Sequence, residues 1–341
     1  MKKVFKYLLR VLVFLIPAWL LIVVYLITDP FKVIHTNSPF YAEEGYLGVN
    51  SNAGYISTMT FKENYPRYHY DSFIFGSSRS IHYSVSDWKN YIGDSASCYH
   101  FNADGETLYG MMKKVEYIDS VGAKIENALF IVDSYLLECD YNKPGHLYTI
   151  CPELEGGRNQ VMFHWQFFKA FTSPEFWYTF ADFKINGELK PYMLNQLIIS
   201  HEYIHYDVVT NEVRDIRFEQ EIADGQYFNS RRLENFLNLR RRPFKRVMGT
   251  RHKVMLERIA SILERHSASY KVIVHPIYNR VNIDSKDLKT LKAVFGKENV
   301  YDFSSDSVLT SDYTLFYDPH HLRPKGTRQI LERVYLPNDD L

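Results

Sequence analysis

Residues 71–80 decide how this chain is read, and they run Asp71-Ser72-Phe73-Ile74-Phe75-Gly76-Ser77-Ser78-Arg79-Ser80. The apolar run before Gly76 predicts a buried strand, and the glycine and serines predict a tight turn into a helix. In α/β folds ligands bind at the carboxyl ends of the strands, so this turn would expose a serine hydroxyl there. The first amides of the next helix could stabilise an anion beside it. Gly-Ser-Ser alone is ordinary turn composition, so a second segment is needed before the stretch indicates chemistry.

That second segment lies near the C-terminus and runs Tyr317-Asp318-Pro319-His320-His321-Leu322-Arg323-Pro324-Lys325-Gly326. With the first segment it supplies a serine, an acid and a histidine, the components of an activated nucleophile. His321 is the candidate base, and Asp318, three residues earlier, could hold its ring in one tautomer. His320 is a neighbouring competitor for the role of base. On its own the segment would be an ordinary surface turn.

From Asp71 onward, short apolar runs alternate with helical patterns, which predicts a mostly parallel sheet covered on both faces. Five strands would fit a flavodoxin-like three-layer α/β/α sandwich. The predicted strands are Phe73–Phe75, Cys98–Asn102, Ala128–Val132, Lys271–His275 and Val300–Phe303. Apolar residues at helical spacing predict helices after the second strand and before the fourth, and a final helix near Gly326 to Val334.

The predicted divisions of the chain are an N-terminal segment over 1–28, a lead-in over 29–69 and an α/β domain over 70–341. Residues of about 140–249 separate the third and fourth strands and are too many for a simple crossover. They are aromatic and charged, and we expect a largely helical insertion. Its basic cluster, 240–246, reads as a solvated helix face, with contact to lipid headgroups or an anionic glycan as the alternative.

An uncharged apolar run extends from Val11 to Thr28, and basic residues precede it. Its length is close to the roughly 20 residues that cross a bilayer. The positive-inside rule then predicts a cytoplasmic N-terminus and an extracytoplasmic remainder. A cleaved signal peptide is the alternative, but no small-x-small cleavage site follows the run. The sequence therefore predicts one retained transmembrane helix and a single-pass protein of the cell membrane.

Composition excludes some partners. The 40 lysines and arginines equal the 40 acids, so no net charge favours nucleic acid or an anionic surface.

The chain has three cysteines, an odd number that leaves at least one unpaired in a monomer. Cys139 and Cys151 could form a disulfide in an oxidising compartment, and three buried thiols are the alternative.

In order and spacing these motifs resemble the SGNH (GDSL-like) hydrolase superfamily. Its membrane-anchored branch, which includes D-alanyl transfer proteins of teichoic acid synthesis and alginate acetylation proteins, looks closest. The first motif matches as Gly76-Ser77-Ser78, which makes Ser78 the nucleophile, and the last as Asp318-x-x-His321. The glycine of the second block falls on Gly105. The resemblance implies catalytic Ser78, Asp318 and His321, and an oxyanion hole from the amides of Ser78 and Gly105.

The chain departs from the family pattern at two motifs. Ser77 stands where the first motif usually has an acid, and Arg79 where it has leucine. The third strand ends in Val132-Asp133-Ser134 without the family's Gly-x-Asn-Asp, so one side-chain donor to the oxyanion is missing. Losing one such donor typically costs about 10²–10³ in rate. Arg79 and Asp133 are therefore candidate substrate-binding residues, and a non-catalytic assembly or binding protein for surface polysaccharide is the alternative function.

A literal H-E-x-x-H motif, His201-Glu202-Tyr203-Ile204-His205, indicates a second alternative, a zinc metalloprotease. On a helix the two imidazoles would share one face and Glu202 would act as base. The residues after it look extended, however, and the third ligand is unassigned, with Glu219 and Glu221 as candidates. We expect exposed histidines here and no metal site.

Taken together, the motifs and the resemblance imply a serine esterase or O-acyltransferase that works through an acyl-enzyme. Its implied substrate is an acylated cell-surface glycan or polymer, and a membrane acyltransferase is a candidate partner. No metal or organic cofactor is expected. Hydrolysis and transfer share one acyl-enzyme, so the sequence does not separate them.

Overall fold

The computed structural model describes residues 2–35, 40–41, 48–195, 198–200, 205–237, 245–278 and 282–336. The strands are β1 (Ser72–Gly76), β2 (Cys98–Asn102), β3 (Asn127–Val132), β4 (His205–Asp207), β5 (Glu212–Arg214), β6 (Ser269–Val274), β7 (Val300–Asp302), β8 (Phe316–Asp318) and β9 (His321–Leu322). The α-helices are α1 (Lys2–Thr28), α2 (Ala53–Tyr68), α3 (Val85–Ile92), α4 (Leu108–Ser120), α5 (Ser134–Glu138), α6 (Gln160–Phe171), α7 (Pro174–Asn186), α8 (Ile216–Ala223), α9 (Ser230–Leu237), α10 (Thr250–His266), α11 (Ser285–Phe295), α12 (Ser307–Ser311) and α13 (Pro324–Tyr335).

The centre of the molecule is a parallel sheet with the strand order β2-β1-β3-β6-β7. Counted along the sheet strands alone, this is 2-1-3-4-5, the flavodoxin-like order. The predicted α/β class with a parallel sheet is confirmed. Each predicted sheet strand is present, Cys98–Asn102 with the predicted bounds and the others with one or both ends shifted by one or two residues. The register aligns Gly76 with Asn102 and Ile131, so the loops after β1, β2 and β3 open at one edge.

Different helices pack on the two faces of the sheet. Because side chains alternate along a strand, Phe75 and Phe130 point to one face and Ile74 and Leu129 to the other. The two phenylalanine rings stack 4.9 Å apart and share a buried cluster with residues of α2, α4, α10 and α11. The opposite face packs against α3 and α13. Helices therefore cover both faces, which explains why the central strands β1 and β3 are buried and largely apolar.

The predicted lead-in supplies one of these helices. Asn52 caps α2, because its side-chain oxygen accepts a hydrogen bond from the Tyr55 amide at 2.8 Å. Its side-chain nitrogen donates to the carbonyl oxygens of His146 and Thr149 at 2.8 and 2.9 Å. In the same helix Phe61 is buried, with its ring centroid 5.4 Å from that of Phe101 on β2. Part of the 29–69 segment thus belongs to the core of the domain.

The insertion between β3 and α10 is helical with an added β-hairpin. It contains α6 to α9, and β4 and β5 pair antiparallel. Phenylalanines of α6 pack on the C-terminal end of α1, where Tyr25 lies 5.5 Å from Phe168 and 5.2 Å from Phe171, centroid to centroid. The insertion and the N-terminal helix therefore share one aromatic cluster.

The structure also bears on two further predictions from the sequence, the transmembrane helix and the Cys139–Cys151 disulfide. Within the described ranges, no helix has the length and apolar character needed to cross a membrane. Cys98, Cys139 and Cys151 are all free thiols, so the Cys139–Cys151 disulfide is not formed; Cys98 and Cys151 are buried and Cys139 is half-buried.

Candidate active site

The turn after β1 presents Ser78. Ser77 caps a single 3₁₀ turn, Ser78–Ser80, through a hydrogen bond that its Oγ accepts from the Arg79 amide at 3.4 Å. Gly76 is required at the turn because an added Cβ would lie 2.6 Å from the Ser80 Cβ and 3.0 Å from the Ile131 carbonyl oxygen. This close approach fixes Ser78 at the carboxyl edge of the sheet.

A short antiparallel pair, β8 and β9, brings the acid and the base to the same edge. The Ser78 Oγ lies 2.9 Å from the His321 Nε2, and the His321 Nδ1 lies 2.7 Å from the Asp318 Oδ2. The other carboxylate oxygen of Asp318 accepts the amides of His320 and His321 at 2.7 and 3.2 Å. The loop thus holds the carboxylate with its own backbone, and no distant residue is needed to orient it.

Asp318 is ionised at neutral pH. Burial acts to raise the pKa of its carboxyl, but the charge of His321, the hydrogen bond with that ring and the His320 amide outweigh burial and lower the pKa to about 2. The ionised Asp318 carboxylate accepts a hydrogen bond from the Nδ1–H of His321, which leaves Nε2 as the acceptor facing Ser78. The Ser78 hydroxyl therefore faces a ring nitrogen that can accept its hydrogen bond.

Gly105 lies in the loop after β2 and lines the same cavity as Ser78 and His321. Its φ of +54° is a left-handed conformation, and an added Cβ would lie 3.1 Å from the Tyr148 ring. Lys114 secures this loop from α4, with its Nζ 3.1 and 2.9 Å from the carbonyl oxygens of Phe101 and Asn102. Its buried ammonium also pairs with the Glu106 carboxylate at 2.5 Å. These contacts tie the loop to α4 beside Ser78.

Arg79 and Asp133, the candidate substrate-binding residues, bind each other. The Arg79 Nη1 lies 3.0 Å from the Asp133 Oδ2, and their side chains are only 13% and 2% exposed. Asp133 also caps α5 by accepting the amides of Tyr135 and Leu136, and the Arg79 guanidinium lies 5.0 Å from the Tyr135 ring centroid. Among the described residues around the cavity, neither one lines it. The pair instead connects the 3₁₀ turn at Ser78–Ser80 to the residue that follows β3.

The cavity at Ser78 has a volume of about 490 Å³, and much of its wall comes from segments that sequence reasoning left out of the site. Asn50 comes from the lead-in, Lys143 and Tyr148 from the start of the insertion, and Phe218 from α8. These residues carry no local motif, and only the folded chain brings them to Ser78. Lys143 lies with its Nζ 4.2 Å from the Tyr148 ring centroid, close to Gly105.

His82 is the missed residue with the clearest signal in the sequence, since it stands four positions after Ser78. It lines the cavity, and its ring lies 4.8 Å from that of Tyr317 at a steep angle. Burial and the nearby charge of His321 lower the pKa of its imidazole to about 3. His82 is therefore neutral at physiological pH and can both donate and accept a hydrogen bond.

The H-E-x-x-H motif falls mostly on residues 201–204, which lie outside the described residues. Its last member, His205, is an exposed residue of β4 that pairs with Arg214, so this position is extended and not helical. In the part of the chain that the structure describes, no three His, Cys, Asp or Glu side chains come together as metal ligands.

The geometry defines a Ser–His–Asp constellation on the carboxyl edge of a parallel sheet, open to a cavity. No protein-family profile matches this chain, and no curated protein matches it either.

Proposed function

We propose that this protein is a serine esterase or O-acyltransferase of SGNH type that works through an acyl-enzyme. The observation that carries the proposal is the pair of contacts at His321, 2.9 Å to the Ser78 hydroxyl and 2.7 Å to the Asp318 carboxylate. Both distances fit hydrogen bonds, and 243 residues separate the serine from the histidine. An ordinary surface turn would not be expected to align three such groups.

In the proposed reaction Ser78 attacks the carbonyl carbon of an ester while His321 takes the hydroxyl proton. Asp318 holds the imidazole and stabilises the imidazolium that forms. The amides of Ser78 and Gly105 stabilise the oxyanion, and His321 returns the proton to the leaving alcohol. Water or a second alcohol then attacks the acyl-enzyme. Without the family's asparagine, the site would have fewer donors to the oxyanion, which favours a slow enzyme.

The test is turnover of 4-nitrophenyl acetate by the purified protein and its variants. Ser78→Ala and His321→Gln should each abolish enzymatic release of nitrophenol, because each removes a reacting group. His320→Gln is the matched control, since it changes the adjacent histidine and should retain turnover. Equal loss in both histidine variants would contradict the assignment of His321 as the base.

The missing asparagine favours one other function, a binding protein for surface polysaccharide that retains the fold. Asp133 stands at the end of β3 and is committed to Arg79 and the cap of α5. If wild-type protein and Ser78→Ala release nitrophenol at the same rate, the binding function becomes the better account.

The cellular setting is a further part of the proposal. The apolar run from Val11 to Thr28, with basic residues before it, supports a membrane anchor with the α/β domain outside the cytoplasm. Large apolar side chains of α1 are exposed, with Phe14 at 84% and Ile27 at 73%. An acylated surface glycan or polymer is then the substrate within reach, and a membrane acyltransferase would supply the acyl group.

A further inference from the structure

A second cavity adjoins the one that holds Ser78. Its volume is about 340 Å³, and it shares five lining residues with the first, namely Ile81, His82, Val213, Asp215 and Tyr317. Ile81 and His82 lie within four positions of Ser78, and Tyr317 directly precedes Asp318. The shared wall is thus built partly from the two segments that carry Ser78 and His321, so a ligand in the second cavity would lie beside the cavity that Ser78 lines.

The charged groups of the second cavity are largely paired. Arg214 lies 3.2 Å from Glu212, and Arg328 lies 3.5 Å from Asp87. Glu219 is held by Arg323 at 2.7 Å. The fourth lining carboxylate, Asp215, caps α8 by accepting the Phe218 amide at 3.1 Å. With three carboxylates paired to arginines and the fourth engaged as a helix cap, the cavity does not select strongly for a cation or an anion. It offers hydrogen-bonding groups to a neutral ligand instead.

The remaining lining combines hydroxyl groups with apolar surface. The hydroxyls of Ser84 and Ser86 lie 3.2 Å apart at the start of α3. Ile216 on α8 is 58% exposed and lines the cavity together with the Tyr317 ring. A saccharide has this same combination, with hydroxyls at its rim and C–H groups on its faces.

We propose that the second cavity is a saccharide subsite, which holds the sugar whose hydroxyl accepts the acyl group from Ser78. This inference rests on the proposed function and adds to it the binding site and chemical class of the acceptor. His82 lies between the two cavities, where its neutral imidazole can hydrogen-bond to the sugar hydroxyl.

The transfer step uses the acceptor hydroxyl, the acyl-Ser78 ester and His321. The acceptor hydroxyl oxygen attacks the carbonyl carbon of the acyl-Ser78 ester, and the His321 Nε2 takes the hydroxyl proton. The tetrahedral intermediate collapses by breaking the bond between the carbonyl carbon and the Ser78 Oγ. His321 returns the proton to that Oγ, which regenerates the free serine and releases the acylated sugar.

The experiment measures how acetyl-enzyme is captured. The full-length protein is acetylated with 4-nitrophenyl acetate in the presence of methanol or a disaccharide (maltose, cellobiose or N,N′-diacetylchitobiose), and the ester formed is quantified against free acetate. We expect at least one disaccharide to capture acetyl roughly tenfold better per mole than methanol, through hydrogen bonds that methanol lacks. Ser86→Trp and Ile216→Trp, which fill the cavity from different helices, should each lower the disaccharide-to-methanol ratio roughly tenfold. Asn90→Trp, exposed on α3 outside the cavity, is the matched control and should leave the ratio unchanged.

Two results would overturn the inference while leaving the esterase standing. In one, wild-type protein releases acetate through Ser78 but no disaccharide captures acetyl better than methanol does. In the other, both tryptophan variants fold, as judged by circular dichroism, and keep the wild-type ratio. Absence of nitrophenol release above Ser78→Ala is a separate failure, since it contradicts the proposed function itself.

Discussion

At the scale of single residues, the site depends on the loop that carries both Asp318 and His321. Because the two are three positions apart, their geometry is set locally, and the sequence spacing was enough to predict it. The contact between this loop and Ser78 joins residues 243 positions apart, so it depends on the tertiary fold. The Arg79–Asp133 pair was not predictable in the same way, because either residue alone looks like an exposed substrate ligand.

Asp318→Asn should lower turnover of 4-nitrophenyl acetate by up to about 10⁴-fold, because an amide can stabilise the wrong tautomer of His321. The measurement is kcat for the variant against wild type. Asp312→Asn is a suitable control, since Asp312 caps the neighbouring 3₁₀ turn and does not line the cavity at Ser78. A loss of less than tenfold in Asp318→Asn would show that the carboxylate does not set the tautomer.

The pH dependence of stability should also report Asp318. Its carboxyl has a pKa of about 2 in the folded chain, below its usual value. A lowered pKa stabilises the fold above the unfolded value of about 3.9, and this contribution is lost as the pH falls toward about 2. Urea unfolding across this range should therefore show a smaller decline for Asp318→Asn than for wild type. Parallel declines in the two proteins would contradict the lowered pKa.

Removing one partner of the buried ion pair between Arg79 and Asp133 should destabilise the folded protein. Arg79→Met should lower the free energy of unfolding by about 3–5 kcal/mol, because Asp133 would remain buried without its partner charge. Arg217→Met, which breaks an exposed pair with Glu221, should cost less than about 1 kcal/mol. Equal costs for the two variants in urea unfolding would show that Arg79 and Asp133 do not depend on each other.

At the scale of elements, the sheet was predictable and the walls of the site were not. Strands β1 and β3 are short apolar runs bounded by turn residues, and this signal can be read from the sequence alone. Helix α2 carries polar residues and a proline near its end, so its burial against Phe101 had no clear pattern in the sequence. The β4–β5 hairpin was missed because strands of three residues are too short to show alternation.

Gly76→Ala tests whether the turn after β1 needs a glycine to position Ser78. The new Cβ would meet the Ser80 Cβ and the Ile131 carbonyl oxygen, so the turn must shift. We expect a loss of about 1–3 kcal/mol in unfolding free energy together with reduced turnover. Gly249→Ala is the matched control, because its Cβ would meet only the His252 ring at 4.0 Å. Wild-type turnover in a folded Gly76→Ala variant would contradict a close requirement for glycine.

At the scale of the whole molecule, the proposed topology places everything after Thr28 outside the cytoplasm. An alkaline phosphatase fused after Leu341 should therefore be active in bacterial cells, because this reporter folds only after export. A fusion to a strictly cytoplasmic reporter at the same position should be inactive. The reverse pair of results would contradict an extracytoplasmic domain.

The central claim is that His321 activates Ser78 as a nucleophile, and covalent labelling tests it most directly. The full-length protein is treated with a fluorophosphonate probe, which reacts with activated serines, and the adduct is located by peptide mass spectrometry. We expect an adduct on Ser78 that disappears in Ser78→Ala and forms far more slowly in His321→Gln. Absence of labelling in folded wild-type protein, or an adduct on another serine, would contradict it.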